Sequence, residues 1–348
     1  MNKLHKRSRF SKLIAGCLVS IVFLGVGYAG FECFGGNFYT KDSKPAYLYI
    51  RSNTSFNELI HQMQSKGIVK NINSFTRLAK LTGCDKKLRQ GRYAVTDGMS
   101  NIRLIRHLSY YMQTPVSLKL NNIRTKQQLA GKLSKQLMAD SLTFITLLND
   151  TASDSTMGFT PETIIAMFIP NTYEVYWDIT PTQLFAKMYH EYQQFWTEER
   201  LQKAQSTNLT PVEVITLASI VEEETNLKHD KPIVAGLYLN RLRDNIPLQA
   251  DPTLRFACND FTLKRLTMKQ ILVRSPYNTY LNKGLPPGPI RIPSIESIDA
   301  VLNYEPSNYL YMCAKETLNG EHYFAATWEE HKKNAAKYAA KLNELGIH

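Results

Sequence analysis

Residues 13–31, LIAGCLVSIVFLGVGYAGF, run for 19 positions without a charged side chain. As a helix rising about 1.5 Å per residue, the run is roughly 28 Å long, close to the hydrocarbon thickness of a bilayer. Lys3, Lys6, Arg7, Arg9 and Lys12 all precede it, and such cationic flanks favour the cytoplasmic side. The expectation is a single-pass anchor at residues 13–31, with residues 1–12 cytoplasmic and everything from Glu32 exported. A cleaved signal peptide is the competing reading. The length of the run and the lack of a convincing A-x-A site after it favour an uncleaved anchor. Ile14-Ala15-Gly16-Cys17 lies at the start of the apolar run, not after it, so it does not serve as a lipoprotein box.

Of 348 residues, 43% are hydrophobic, and 19 Tyr, 15 Phe and 3 Trp supply large buriable area. Disorder, collagen-like and repeat architectures are thereby disfavoured, and a folded body of two domains is expected. The formal charge is +12, of which +7 remains when the five N-terminal cations are set aside. A basic body favours an anionic partner. No zinc-finger spacing or dense basic run accompanies it, so nucleic-acid binding is not expected. The cysteines, Cys17, Cys33, Cys84, Cys258 and Cys313, form no C-x-x-C pair, which supports neither a zinc site nor a redox motif.

Residues 32–45 are polar and mixed, as in a linker. A strand over Tyr47–Arg51 follows, then Ser55-Phe-Asn-Glu58, a capping box that satisfies free amides at a helix start. That helix should end near Ser65, with Gly67 as its stop. A second helix is predicted over Ser74–Leu81 up to Gly83, then a strand over Gly91–Val95, a turn at Asp97-Gly98 and a helix over Ile102–Met112. Val116–Leu120 is predicted as a strand before another capping box, Thr125-Lys-Gln-Gln128. The two strand–capped-helix units share spacing, a hint of an internal repeat that coincidence explains almost equally well. Farther on, Thr180-Pro-Thr-Gln183 should cap a long helix reaching about Gln205, and Thr210-Pro-Val-Glu213 another, with Pro at the first helical position. A helix over Lys231–Arg243, an irregular Pro/Gly-rich loop over Leu281–Pro293, strands at Tyr309–Ala314 and His322–Ala326 and a last helix from Thr327 to Gly346 complete the prediction. Without a regular βαβ rhythm the class is α+β.

Val214–Thr225, VITLASIVEEET, carries the chemistry. At 100° per residue Val214, Leu217, Ala218 and Val221 share one helix face. Glu223 points away and is expected in solvent. Glu222 and Glu224 lie at the two flanks of the apolar face, and periodicity does not choose between them. A carboxyl at the edge of an apolar face is a candidate general acid, because desolvation disfavours its charged form. Leu248-Gln-Ala-Asp-Pro-Thr253, Ser275-Pro-Tyr-Asn-Thr-Tyr280 and Gly284-Leu-Pro-Pro-Gly-Pro289 add amides, hydroxyls and aromatic faces in the combination that suits a carbohydrate.

Together with Asn240-Arg-Leu242, Pro170-Asn-Thr-Tyr173 and His322-Tyr-Phe324, these blocks resemble, in order and spacing, the endolytic murein transglycosylases of the YceG-like family. The resemblance implies an inner-membrane anchor with the body in the periplasm. It also implies a small LysM-like α/β module (residues 46–115) and a mixed helix–strand catalytic domain (residues 116–348). The implied reaction cuts nascent peptidoglycan strands internally between MurNAc and GlcNAc, leaves 1,6-anhydroMurNAc ends and terminates strand elongation. No metal or cofactor is implied. Peptidoglycan synthases or division proteins are the implied protein partners. The family's catalytic glutamate, the last acid before the threonine, falls on Glu224. Gln249, Asp251, Tyr277, Asn278, Asn171 and Tyr173 are the candidate substrate-binding residues. Asn171 stands where the family commonly has aspartate, so a required acid is not expected there. The alternatives are a muramidase that uses water, with Asp251 as second carboxylate, and a non-catalytic peptidoglycan-binding membrane protein.

Overall fold

The computed structural model describes residues 2–150, 157–263 and 266–346; Met1, the first residue of the expected cytoplasmic segment, lies outside them. The chain divides into two compact units. The first is residues 1–116 with 174–179, and the second is residues 117–173 with 180–348.

The first unit opens on α1 (Asn2–Phe34). Its stretch Ile14–Phe34 is long and apolar enough to cross a membrane, with a mean hydropathy of 2.1 and no burial against the protein. The helix therefore continues three residues past the predicted span. The polar stretch after it is only partly a linker, because Phe38 is fully buried and bridges Val69. Buried Asn37 donates to Asn101 and the Asn71 carbonyl. Strand β1 (Ala46–Ile50) leads to α2 (Phe56–Ser65), where Ser55 and Glu58 form the full capping box, and to α3 (Ile72–Thr82). The cap of α3 is Asn71, upstream of the predicted start, and Gly83 ends it in the left-handed conformation at φ 71°, which suits glycine. Strand β2 (Gly91–Val95) pairs antiparallel with β1, Ala46 opposite Val95 and Ile50 opposite Gly91. Helix α4 (Asn101–Ser109) stops three residues short of the predicted end, and Tyr111 takes φ 58°. Leu48, Ile50, Leu59, Met63, Phe75, Tyr93, Leu104 and Leu108 form the core between these elements. Residues 174–179, which no local pattern attaches to this unit, belong to it. Trp177 packs edge-on against Tyr49, and Asp178 accepts from Gln90, Tyr111 and Gln113.

In the rest of the chain β3 (Val116–Lys119) precedes α5 (Lys126–Gln136) and α6 (Ser141–Leu147). Thr125 caps α5, but the box is incomplete: the Gln128 side chain accepts from the amide of Arg124, one residue early. Strand β4 (Thr172–Val175) pairs with β3. The helix predicted from Thr180 to Gln205 is two helices, α7 (Pro181–Phe195) and α8 (Glu198–Ser206). Thr197 breaks it by capping α8 with its hydroxyl on the Arg200 amide. Then come α9 (Pro211–Glu224), α10 (Asp230–Arg243), the short α11 (Asp251–Ala257) and α12 (Met268–Ile271), and α13 (Ile295–Leu302). The last three lie in stretches for which the sequence predicted no helix. An antiparallel hairpin, β5 (Tyr311–Ala314) and β6 (His322–Ala325), ends the body with α14 (Trp328–Glu344) packed on it.

Helix α9 is the centre of this second unit. Val214–Val221 are all buried, and α10, α11 and α13 pack around it. The irregular loop predicted at residues 281–293 is stapled to it. The Ile290 amide donates to the Ser219 hydroxyl at 3.0 Å, and the Ile292 amide to the Ile123 carbonyl at 2.8 Å. A methyl on Gly288 would overlap the Glu162 carbonyl oxygen, which explains a glycine between prolines there. Ser219→Ala would leave the buried Ile290 N–H without its acceptor and should destabilise the fold by roughly 1–3 kcal/mol. Thermal unfolding of the full chain in detergent, followed by circular dichroism, should show the lowered midpoint.

Candidate active site

The Thr210 capping box with Pro211 starts α9, and the helix delivers three consecutive glutamates to its carboxyl end. The helix dipole makes that end unfavourable for anions, so each carboxylate needs an answer. Glu222 accepts from the Ser294 hydroxyl at 2.5 Å, from Ser297 and from the ammonium of Lys231 at 3.3 Å. Burial alone would push its pKa up, but the two hydroxyls with Lys231 and Arg291 outweigh it and hold the group below the ordinary carboxylate range. Glu223 is not in solvent as its position on the helix suggests. Its side chain is 14% exposed and takes two hydrogen bonds from Arg124, at 2.9 and 3.0 Å, and one from Arg291 at 2.5 Å. Two cations from distant parts of the chain turn a nominally outward carboxylate into an interior ion cluster.

Glu224 receives a different answer. No cation pairs with it among the described residues; its partner is the Tyr238 hydroxyl, which donates at 2.6 Å. Burial raises its pKa to about 7, the Tyr238 hydrogen bond and Arg255 pull against that rise, and the nearby charges of Asp251 and Glu223 add to it. Near neutral pH this carboxyl both gives and takes a proton readily.

Glu224 lines a cavity of about 400 Å³. Tyr238 and Arg241, three apart on α10, present one face to it. Arg241 donates to the carbonyls of Pro247 and Leu310 and, at 2.7 Å, to the Gln249 side-chain oxygen. It thereby fixes the Leu248–Ala250 turn, in which Gln249 takes φ 54°. Asp251, the first residue of α11, accepts from the Tyr280 hydroxyl at 2.5 Å. Buried Thr279 joins the two motifs: its hydroxyl accepts from the Ala250 amide and its carbonyl from the Gln249 amide. Tyr311 and His322 of the hairpin and Trp328 and His331 of α14 complete the wall. Nδ1 of His322 lies 2.9 Å from the buried carboxylate of Asp230.

Of the residues predicted from sequence, the structure brings Glu224, Gln249 and Asp251 into this one cavity. Tyr277 lies elsewhere, lining a second cavity against Phe256. Asn278 does not face either: it is fully buried, and its amide donates to the carbonyls of Ile271 and Val273 while its oxygen accepts from the Tyr280 amide. It holds the loop and, being fully buried, presents no polar atom to a ligand. Tyr173 is buried with its hydroxyl on the Ile169 carbonyl, and Asn171 is exposed, capping the Thr172 amide. Sequence reasoning missed Tyr238, Arg241, Tyr280 and His322 as site residues, although all lie within or beside the quoted motifs. The i,i+3 spacing of Tyr238 and Arg241 beside Asn240 was the available signal. Among the described residues no group of His, Cys, Asp and Glu is arranged to hold a metal ion.

The sequence profile of the YceG-like family matches residues 48–337. A protein named endolytic murein transglycosylase from Bacillus subtilis (strain 168) is 29% identical over 320 residues, spanning 87% of this chain and 88% of that one. One of the same name from Streptococcus pneumoniae serotype 2 is 36% identical over 143 residues, 40% of this chain and 26% of its own length. Among solved structures, a YceG-like protein from Listeria monocytogenes shares the fold with a TM-score of 0.56 at 24% identity, covering 84% of this chain and 99% of that one.

The Tyr238 hydroxyl favours the ionised form of Glu224, so Tyr238→Phe should raise the carboxyl pKa above 7 by roughly half a unit to one unit, the worth of one hydrogen bond. A carbon-13 NMR titration of the Glu224 carboxyl in both proteins measures the shift and its sign.

Proposed function

The chain belongs to the YceG-like family, and we propose that it is a membrane-anchored endolytic lytic transglycosylase whose single catalytic acid–base is Glu224. The observation that carries this reading is one carboxyl raised to about 7 in a cavity, beside two glutamates that are paired with cations and hydroxyls. The names of the relatives support the substrate class, peptidoglycan.

In the proposed reaction neutral Glu224 gives its proton to the glycosidic oxygen between MurNAc and GlcNAc. The C1–O bond breaks and GlcNAc leaves with a 4-hydroxyl. The resulting carboxylate takes the proton of the C6 hydroxyl of the same MurNAc, whose oxygen closes on C1 to form the 1,6-anhydro end. The nucleophile belongs to the same sugar, so no separate molecule need be positioned, which lowers the entropic barrier. Tyr238 steadies the carboxylate between the two transfers. Gln249, its oxygen held by Arg241, turns its amide donors to the sugar. Asp251 with Tyr280 forms the opposing polar pair. Acid–base transfer of this kind contributes on the order of 10²–10⁴-fold, and positioning supplies the remainder.

The basic residues before the apolar helix support a cytoplasmic N-terminus and an exported, periplasm-facing body anchored in the inner membrane. Residues 46–115 form the proposed LysM-like glycan-binding module, a reading supported by the order β1–α2–α3–β2 with β1 and β2 antiparallel. Residues 116–348 form the proposed catalytic domain. Acting on nascent strands near the membrane, the enzyme would terminate their elongation, in company with peptidoglycan synthases or division proteins.

Digestion of purified peptidoglycan by the full chain in detergent should release internal fragments with 1,6-anhydroMurNAc ends, identified by mass spectrometry. Glu224→Gln should reduce their formation at least 10²-fold. Reducing MurNAc ends would instead assign the chain to hydrolysis with Asp251 as second carboxylate.

A further inference from the structure

The second unit holds another cavity, of about 350 Å³, lined among others by Arg124, Gln127, Glu162, Phe256, Asn259 and Tyr277. We propose that it is a distal saccharide subsite for the same glycan strand, which rests on the glycan-cleaving reading above. Helix α11 joins the two cavities. Asp251 at its start lines the first and Phe256, five residues on, lines the second. Five residues of helix advance about 8 Å along the axis and turn about 140° around it, so the cavities lie on different faces of this short helix. The loop after it repeats the arrangement, with Tyr280 in the first cavity and Tyr277 in the second.

The lining has the chemistry of a sugar site. Phe256 and Tyr277 pack with ring centroids 4.7 Å apart at 46°, an aromatic wall of the kind against which the apolar face of a pyranose rests. The Tyr277 hydroxyl has no hydrogen-bond partner among the described residues, and neither has the Gln127 amide. Glu162 and Asn259 add acceptors and donors for hydroxyl and acetamido groups. Arg124 is not a loose cation here. Glu223 pins it by two hydrogen bonds, and its guanidinium lies 5.2 Å from the Phe261 ring centre. The residue that fixes this wall of the subsite is therefore the immediate neighbour of Glu224. An enzyme that cuts inside a strand must hold sugars beyond the broken bond, and a cavity tied to the catalytic helix end through the Arg124–Glu223 pair meets that need.

The test uses the full chain carrying Glu224→Gln in detergent, titrated calorimetrically with peptide-free oligosaccharides of alternating GlcNAc and MurNAc. The hexasaccharide should bind at least tenfold more tightly than the disaccharide. Adding Tyr277→Ala should remove most of that advantage, and Gln127→Ala, an exposed helical position that tolerates alanine, should reduce it about threefold. The subsite is overturned if both variants keep the full length advantage, or if the parent has none while still binding the disaccharide. Absence of binding to either sugar by the parent would overturn the subsite together with the glycan reading on which it rests.

Discussion

Everything at the site depends on one carboxyl being withdrawn from water without a cation to receive it. Moving the pKa of Glu224 from 4.5 to about 7 corresponds to about 3 kcal/mol between its two protonation states. Because the folded-state value lies above the unfolded one, that energy opposes folding increasingly as pH rises through this window and is absent below it. The rest of the fold must carry the load. It does so through α9, whose residues from Val214 to Val221 are all buried and whose capped start leaves no loose turn.

The same helix end shows how three identical side chains acquire three chemistries. Glu222 is held charged by Ser294, Ser297 and Lys231, and Glu223 takes hydrogen bonds from Arg124 and Arg291. Among the described residues Glu224 has a phenol, not a cation, as its hydrogen-bond partner. A hydrogen bond from a neutral donor stabilises the carboxylate without pinning it as charged, so the proton remains exchangeable near neutrality. A lysine in place of Tyr238 would give a permanent ion pair and a lowered pKa. Ser219, Thr279 and Arg241 then place the loops around this carboxyl, each by hydrogen bonds to backbone groups.

Local signals carried much of this in the sequence. The boxes at Ser55, Thr180 and Thr210 start helices where expected, because a capping box involves residues only three apart. Where a neighbour competes for the same group, the local pattern misleads. Gln128 serves Arg124 instead of Thr125, and Thr197 interrupts a helix that periodicity alone runs through. Glu223 marks the limit more clearly. A helical wheel describes one helix, and Arg124 and Arg291 arrive from 99 residues before it and 68 after it. The tie between Glu222 and Glu224 was likewise open, since both flank the apolar face and only the side chains opposite them differ. Asn278 resembles a ligand for sugar because amides in loops serve both substrates and backbones; here it is fully buried and its three hydrogen bonds go to the backbone of residues 271–280.

The pH dependence of kcat/KM for glycan cleavage by the full chain addresses the central claim most directly. If a protonated Glu224 starts the reaction, the rate should fall with rising pH as a single ionisation centred at about 7. A rate that rises through neutrality, or one that has already fallen in the ordinary carboxylate range near pH 4, would show that the acid is another group and would contradict the account.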